Sequence, residues 1–402
     1  MRDPKCPYFD KCGGCATQHL PYKIQLENKK KRLAPMLAPW FHLEPAWSDN
    51  SDTASSRQTV RRGGSRGASS GDIQIFSGDE WNYRNRMDMT FTDSGIGFRE
   101  KGKWWKVLPI SECTISNHRL NELNKEVCDF FGPEYDAFNV KSHEGIYKYA
   151  VIRTPQNDSS ISIVLNKQSP RLDEATAKVK EFAKKTSANN VLITYIKAKS
   201  SQSIGEEYEV VKGSDMLEET IMGKTLRYSA QGFFQNNSIM AEKMHEYVHD
   251  LIKSHKPNEY ASLLDLYGGV GAFGIVNADL FKSVTSVESF EGCTVAAKDN
   301  IKLNKIKNME AICMDAKRLK QVNLPPANLY IITDPPRSGM SQETIIELKK
   351  LKPELIIYIS CNIEQLGKDL PKFREYKIKS AAIFDLFPQT NHMESVIELV
   401  AK

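Results

Sequence analysis

No apolar run in the 402-residue chain approaches the roughly 20 residues an α-helix needs to cross a bilayer, so a membrane-spanning role is not expected. The N-terminus Met1-Arg2-Asp3-Pro4-Lys5-Cys6 has none of the apolar core of a secretion signal, and the protein is expected in the reducing cytoplasm. Cysteines seldom cross-link there, which leaves all eight as candidates for metal binding or reaction. Excess charge of one sign is also scarce. A net charge of +5 is too mild to point to a polyanionic partner by itself. Between Ser48 and Asp79 large apolar residues nearly vanish in favour of Ser, Gly, Asp and Arg, and such a stretch cannot offset the entropy of ordering. Residues 48–80 are therefore expected to be a disordered insertion, with Arg57, Arg61, Arg62 and Arg66 as solvated linker charges.

The remainder is ordinary globular composition, 40% hydrophobic and 26% charged, in a chain long enough for two or three domains. Residues 1–47 carry Cys6, Cys12 and Cys15, then a basic helix in which Ile24, Leu26, Leu33, Met36 and Leu37 lie among lysines and Pro39 is expected to close the segment. Residues 81–235 read as an α+β domain: a hairpin about Asp93-Ser94-Gly95, further β-rich runs, and one helical stretch from Leu172 to Lys184. Its Arg84, Arg86, Lys101, Lys103, Trp104, Trp105 and Lys106 mix cations with flat rings, as binders of single-stranded RNA do, although rings in hairpins are usually core. Residues 236–402 open with a helix capped by Ser238. Strands at Leu263–Tyr267, Ser283–Glu288, Met309–Cys313, Leu329–Thr333 and Leu355–Ser360 then alternate with helices, the pattern of a doubly wound α/β sheet. Ile378–Asp385 and Ser395–Val400 are joined too closely for a crossover helix and should form an antiparallel hairpin at the sheet edge.

Chemistry in such sheets sits at the carboxyl ends of the strands. Gly269-Val270-Gly271-Ala272-Phe273-Gly274 follows the first strand and opens a helix, and Glu288 ends the second, where a carboxylate accepts both hydroxyls of a ribose. A dinucleotide and S-adenosylmethionine fit equally. Asp315, beyond the third strand, either meets an adenine edge or is a turn residue. The fourth strand ends in Asp334-Pro335-Pro336-Arg337-Ser338-Gly339, a rigid turn that hydride transfer does not need. That turn has no cysteine, and the candidate thiol, Cys361, stands one strand later, where its alternative is a small buried hydrophobe.

These residues, with Gly232-Phe233-Phe234-Gln235-Asn236 upstream and Phe384 to Glu394 downstream, resemble the RNA uracil-C5 methyltransferase family over nearly the whole chain except the insertion. The resemblance implies a Rossmann-like S-adenosylmethionine methyltransferase domain with an antiparallel terminal hairpin, the α+β central domain as RNA binder, and an N-terminal iron-sulfur segment. It implies Cys361 as the nucleophile and Glu394 as the general base. It further implies that Gln235, Tyr267, Glu288 and Asp334 line the cofactor pocket, with Gln235 and Asp334 toward the uracil edge. Ala272 departs from the polar residue of some relatives, which puts one cofactor contact in doubt. The C-x5-C-x2-C spacing of Cys6, Cys12 and Cys15 looks like the family's iron-sulfur motif and Cys113 like its distant fourth ligand, implying a 4Fe-4S cluster; by spacing alone, a Cys3His zinc site with His19 is an equal alternative. The expected partner is structured RNA, with 23S ribosomal RNA placed slightly ahead of the T-loop uridine of transfer RNA, and no protein partner is implied. Because no residues before Cys6 supply the small β-barrel with which many relatives begin, RNA recognition is expected to fall on the central domain and the cluster region. Two other classes compete: a non-catalytic iron-sulfur RNA-binding protein, against which an intact Cys361 and Glu394 argue, and a nicotinamide dehydrogenase, which the Asp334 turn disfavours.

Overall fold

The computed structural model describes residues 1–41, 73–132, 135–325 and 327–402. Most of the expected insertion, residues 48–72, lies outside the described residues. Its last part is corrected by the structure: Ile73–Phe76 is a strand, β1, paired parallel to a strand near the C-terminus, with Ile73 opposite Ala381 and Phe76 opposite Phe384. Phe76 stacks on Phe384 with centroids 4.6 Å apart, so these few apolar residues are held by the sheet they join.

Helix α1 (Tyr22–Phe41) runs through Pro35 and past Pro39, where the sequence led us to expect its end. Tertiary packing overrides the proline penalty, because Leu33 and Leu37 are fully buried in the same core as Ile356, Ile363 and Ile397. Nor is its basic face wholly solvated. Lys29 Nζ lies 2.5 Å from Asp385 Oδ1, with both side chains buried, and Tyr22 donates its hydroxyl to Asp385 Oδ2 at 2.9 Å. Burial lowers the Lys29 pKa and the Asp385 carboxylate opposes that shift. Removing one partner strands the other as an uncompensated buried charge, so Lys29→Ala should cost about 3–5 kcal/mol. Urea denaturation checks this, and an unchanged midpoint would contradict it.

The central region builds one seven-stranded sheet from β2 (Arg86–Thr92), β3 (Gly95–Glu100), β4 (Lys103–Pro109), β5 (Tyr147–Arg153), β6 (Ser160–Asn166), β7 (Asn190–Ile196) and β8 (Tyr208–Lys212), in the order 4-3-2-5-6-7-8. Its pairs are antiparallel except β6 with β7, which need the crossover helix α3 (Leu172–Lys185). Helices α2 (His118–Phe131) and α3 cover one face, burying Leu120, Val127, Val179 and Phe182 against Met87, Ile152 and Ile161. A two-stranded ribbon, β9 (Met216–Ile221) and β10 (Lys224–Ser229), leads to helix α4 (Ser238–Ser254). Asn237, not Ser238, caps α4: its side chain accepts from the Met240 N–H.

The C-terminal region holds β11 (Ser262–Leu266), α5 (Ala272–Asn277), β12 (Ser283–Glu288), α6 (Glu291–Leu303), β13 (Met309–Cys313), β14 (Leu329–Thr333), α7 (Gln342–Lys350), β15 (Leu355–Ser360), α8 (Ile363–Asp369), β16 (Tyr376–Phe384) and β17 (Glu394–Ala401). The eight-stranded order is β1-β16-β17-β15-β14-β11-β12-β13. Strands β11 to β15 are parallel, and the inner ones β11, β14 and β15 are buried on both faces: in β15, Ile356 and Tyr358 enter one core while Leu355, Ile357 and Ile359 enter the other. The terminal hairpin is antiparallel as expected, but it is not the edge. Strand β17 inserts between β15 and β16, and β1 covers β16. Strand order reverses between β14 and β11, which opens a crevice at their carboxyl ends.

Candidate active site

Four strand ends converge on that crevice. After β11 the backbone turns through Tyr267, held at φ 62°, a conformation that costs a bulky residue of order 1–3 kcal/mol and recurs at ligand sites. Gly268 follows because nothing larger fits: a Cβ there would stand 2.0 Å from Ser286 Oγ and 2.8 Å from Asp265 Oδ2. Gly271, at φ 85°, then serves as the N-cap of α5. Glu288 ends β12 half-buried, its carboxylate accepting the Gly269 N–H at 3.2 Å and the Phe290 N–H at 2.8 Å, which fixes its oxygens at the glycine turn. Asp315 is exposed, and its Oδ1 accepts the Lys317 N–H at 2.9 Å, so it is a cap in its local setting. Gln235 is half-buried, and its carbonyl accepts from Asn85 Nδ2 at 3.2 Å, tying the central sheet to the segment that enters α4.

The glycine turn, its tight backbone approach and the anchored Glu288 carboxylate fit the adenosine and ribose of S-adenosylmethionine. One supporting residue escaped the sequence reading. Asp265 is buried within β11, accepts the Gly274 N–H at 3.0 Å, and has a pKa pushed up to about 7, chiefly by burial. A carboxylate inside the apolar run Leu263-Leu264-Asp265-Leu266 was the signal that could have revealed it.

The reactive end is set by register. Ser360, the last residue of β15, pairs with Ser395 of β17, and Ser395 Oγ donates to the Ser360 carbonyl at 3.0 Å. The next antiparallel positions are Cys361 and Glu394, so the pairing brings thiol and carboxylate together although they are far apart in sequence. Glu394 is 5% exposed. Burial raises its pKa well above the usual carboxylate value, the Asp334 charge raises it further, and the Arg337 guanidinium opposes both. Asp334 is pushed up to about 7 by burial and by Asp265. Cys361 is pushed up to about 11, first by burial, then by Glu394 and Asp334, with Arg337 again opposing. Asn362 stitches the two strand ends: it caps α8 and donates through Nδ2 to the Arg337 carbonyl at 2.8 Å.

A thiol raised to about 11 is almost wholly protonated at neutral pH, and its thiolate grows roughly tenfold per pH unit. Single-turnover attack by Cys361 should therefore accelerate about tenfold per unit between about pH 7 and 9. Arg337→Ala, which removes the opposing cation, should slow it at each pH. Stopped-flow or quench measurement of adduct formation checks both, and a flat pH profile would contradict them.

The four candidate cluster thiols also come together. Cys6, Cys12, Cys15 and Cys113 line one cavity of about 380 Å³ between the N-terminal segment and the central sheet, and His19 is not among its lining residues. The His19 ring instead lies 5.7 Å from that of Phe9. Burial raises Cys12 and pushes Cys15 to about 12, with each feeling charge from the other thiols. Among the described residues, no three His, Cys, Asp or Glu side chains converge closely enough for a single metal ion. The same cavity is also lined by Tyr8, Gln18, Asp88 and Glu112, so sulfur and oxygen donors both face it.

Trp104 and Trp105 on β4 are 58% and 49% exposed, not core, and Lys103 and Lys106 of the same strand both pair with Glu100. Among the described residues no helix is long and apolar enough to cross a membrane.

This mixed α/β architecture, with its glycine turn and strand-end carboxylates, is an S-adenosylmethionine methyltransferase fold. Residues 66–402 match the family model described as tRNA (Uracil-5-)-methyltransferase. The chain is 31% identical over 397 residues to the tRNA (uracil(54)-C(5))-methyltransferase of Pyrococcus horikoshii, covering 98% of this chain and 85% of the relative. It is 30% identical over 398 residues to the Pyrococcus abyssi protein of the same name, covering 99% and 86%. The crystal structure of the P. abyssi enzyme in complex with S-adenosyl-L-homocysteine aligns with a TM-score of 0.75 at 27% identity, covering 96% of this chain and 86% of that one. The chain belongs to the tRNA (uracil-5-)-methyltransferase family and is an RNA uracil-C5 methyltransferase.

Proposed function

We propose that the enzyme methylates C5 of uridine 54 in transfer RNA through a covalent adduct on Cys361. The single observation that carries the mechanism is the β15–β17 register, which pairs Ser360 with Ser395 and so leaves Cys361 and Glu394 next to that pair, close enough for Glu394 and Asp334 to act on the thiol. The Cys361 thiolate adds to C6 of a uracil flipped out of its stack, leaving an enolate whose C5 is nucleophilic. S-adenosylmethionine supplies the electrophilic methyl group when bound, with Gln235, Tyr267, Glu288, Asp315 and Asp334 as the residues proposed to hold it. After C5 has taken the methyl group, the Glu394 carboxylate removes the C5 proton, the C5–C6 double bond re-forms, and the Cys361 sulfur leaves as thiolate. The raised Glu394 pKa suits this role, since it makes the carboxylate a better proton acceptor.

Ribosomal RNA, which the sequence slightly favoured, finds no support in the relatives, whose names specify uracil 54 of tRNA. Incubation with unmodified transcripts of both RNAs and labelled cofactor tests the choice. Mass spectrometry should find 5-methyluridine at position 54 of tRNA, and methylation confined to ribosomal RNA would overturn it. In the same reading, residues 81–235 are the RNA-binding domain, supported by the exposed indoles of Trp104 and Trp105, and residues 236–402 are catalytic. Residues 1–47 form the cluster segment, in which Cys6, Cys12, Cys15 and Cys113 would hold a 4Fe-4S cluster that serves folding or RNA docking. Anaerobically purified protein should carry about four iron atoms per chain. One zinc per chain in their place would overturn the cluster.

A further inference from the structure

Nothing in the reaction chemistry accounts for how the loop between Asp385 and Glu394 is held, yet hydrogen bonds from three other parts of the chain converge on it. Gln389 lies at its centre, fully buried and at φ 68°. Its side-chain oxygen accepts from Arg2 Nη2 at 3.1 Å and from Gln25 Nε2 at 2.9 Å, and its Nε2 donates to Glu80 Oε2 at 2.9 Å. Its backbone N–H donates to Gln25 Oε1 at 3.0 Å. Its carbonyl accepts the N–H groups of Ala16 at 2.9 Å and Thr17 at 3.1 Å, the two residues directly after Cys15. Neighbouring carbonyls of the loop are held in the same way: Pro388 by the Tyr83 hydroxyl at 2.8 Å, Phe387 by Lys29 at 3.1 Å and Asn391 by Arg32 at 2.5 Å. The partners come from the N-terminal segment, α1 and the residues before β2. Within the loop itself, Thr390 Oγ1 donates to the Phe387 carbonyl at 2.8 Å and accepts the His392 N–H at 3.1 Å.

We infer that Gln389 is a positioning residue that fastens the Glu394-bearing loop to the cysteine-bearing segment, so that the N-terminal 25 residues set where the base stands. The inference rests on the proposed role of Glu394. Its physical basis is lever length. Glu394 begins β17 five residues after Gln389; pairing with Phe384 and burial of Met393 hold the strand start, and the Gln389 loop sets the direction from which the chain enters it. A residue at φ 68° keeps that backbone geometry only while its surroundings over-determine it. A displacement on the order of 1 Å in a reacting group costs about 10²-fold in rate. Because Cys361 sits on the other strand and is tied to the Asp334 turn through Asn362, the loop can shift without moving the thiol. The segment therefore governs release of product from the adduct more than its formation.

The test separates those two steps in the full-length holoenzyme. Gln389→Ala should trap RNA carrying 5-fluorouridine within about twofold of the wild-type rate, yet accumulate covalent adduct on ordinary RNA because release is slowed about 10²-fold. Arg2→Ala and Gln25→Ala, each of which removes one half of the clamp and leaves the other, should show the same split more weakly and raise amide exchange across residues 385–393. Equal slowing of trapping and release, or no change in either, would overturn the inference, as would unchanged exchange in the milder variants. A wild-type enzyme that traps no adduct would refute the mechanism itself, and the inference with it. Normal trapping by the wild type with an unaltered split in the variants would refute the inference alone.

Discussion

Cys361→Ala is expected to abolish methylation, with turnover falling by about 10⁴-fold or more, because no other group at the site can make the C5 carbon nucleophilic. Cofactor binding should survive, since the glycine turn and Glu288 belong to other strand ends. The loss should therefore appear in turnover and not in cofactor affinity. Cys361 is half-buried at the end of β15, and its side chain packs no core that alanine would collapse, so the variant should fold. Full methylation by the variant would remove Cys361 as the nucleophile. Serine in its place should be nearly as inert, because a hydroxyl resists deprotonation more strongly than a thiol already raised to about 11.

Glu394→Gln should fail differently. The amide keeps the shape of the buried side chain but cannot take a proton, so attack and methyl transfer proceed while release stalls, and turnover should drop by about 10²–10⁴-fold. Methylated RNA bound covalently to protein should accumulate, visible as a species resistant to denaturing electrophoresis. Rapid release of methylated product would show that another group takes the proton. Asp334 is the alternative, being half-buried with a pKa pushed up to about 7.

Much of this arrangement was legible in the sequence because strand ends announce themselves. The run Leu355 to Ser360 stops at Cys361, and the glycine turn and Glu288 fall at the spacing of a nucleotide-binding crossover. The placement of β17 between β15 and β16 was not legible. Periodicity identifies a strand but not its neighbours, and only the register makes Cys361 and Glu394 face each other. Strand β1 was hidden for a related reason: Ile73-Gln74-Ile75-Phe76 is too short to outweigh the Ser- and Gly-rich composition before it, and its partner lies some 300 residues away. Lys29 looked like one more solvated lysine because nothing local marks a partner 356 residues on. Buried polar residues such as Asp265, Asp385 and Gln389 obtain their meaning from contacts between regions, which a one-dimensional pattern does not carry.

Trp104 and Trp105 were ambiguous for the opposite reason. Alternation in a hairpin assigns rings to a face, but β4 is the edge strand of its sheet, and exposure there depends on what covers the edge. The thiols divide along the same line. The spacing of Cys6, Cys12 and Cys15 is visible locally, whereas the meeting with Cys113 at one cavity requires the central sheet to fold against the N-terminal segment. Isolated pairing of Cys12 with Glu100 and the hydrogen bond from the Gly13 N–H to the Arg99 carbonyl make that junction.

The measurement that bears most directly on the central claim is the chemistry of a trapped complex. Wild-type enzyme, S-adenosylmethionine and tRNA carrying 5-fluorouridine should form a stable covalent species, because fluorine at C5 leaves no proton for Glu394 to remove. Digestion and mass spectrometry should then find one modified peptide, spanning Cys361, bearing a methylated fluorouridine nucleotide. A nucleotide attached at any other cysteine, or no covalent species at all while ordinary tRNA is methylated, would contradict the account.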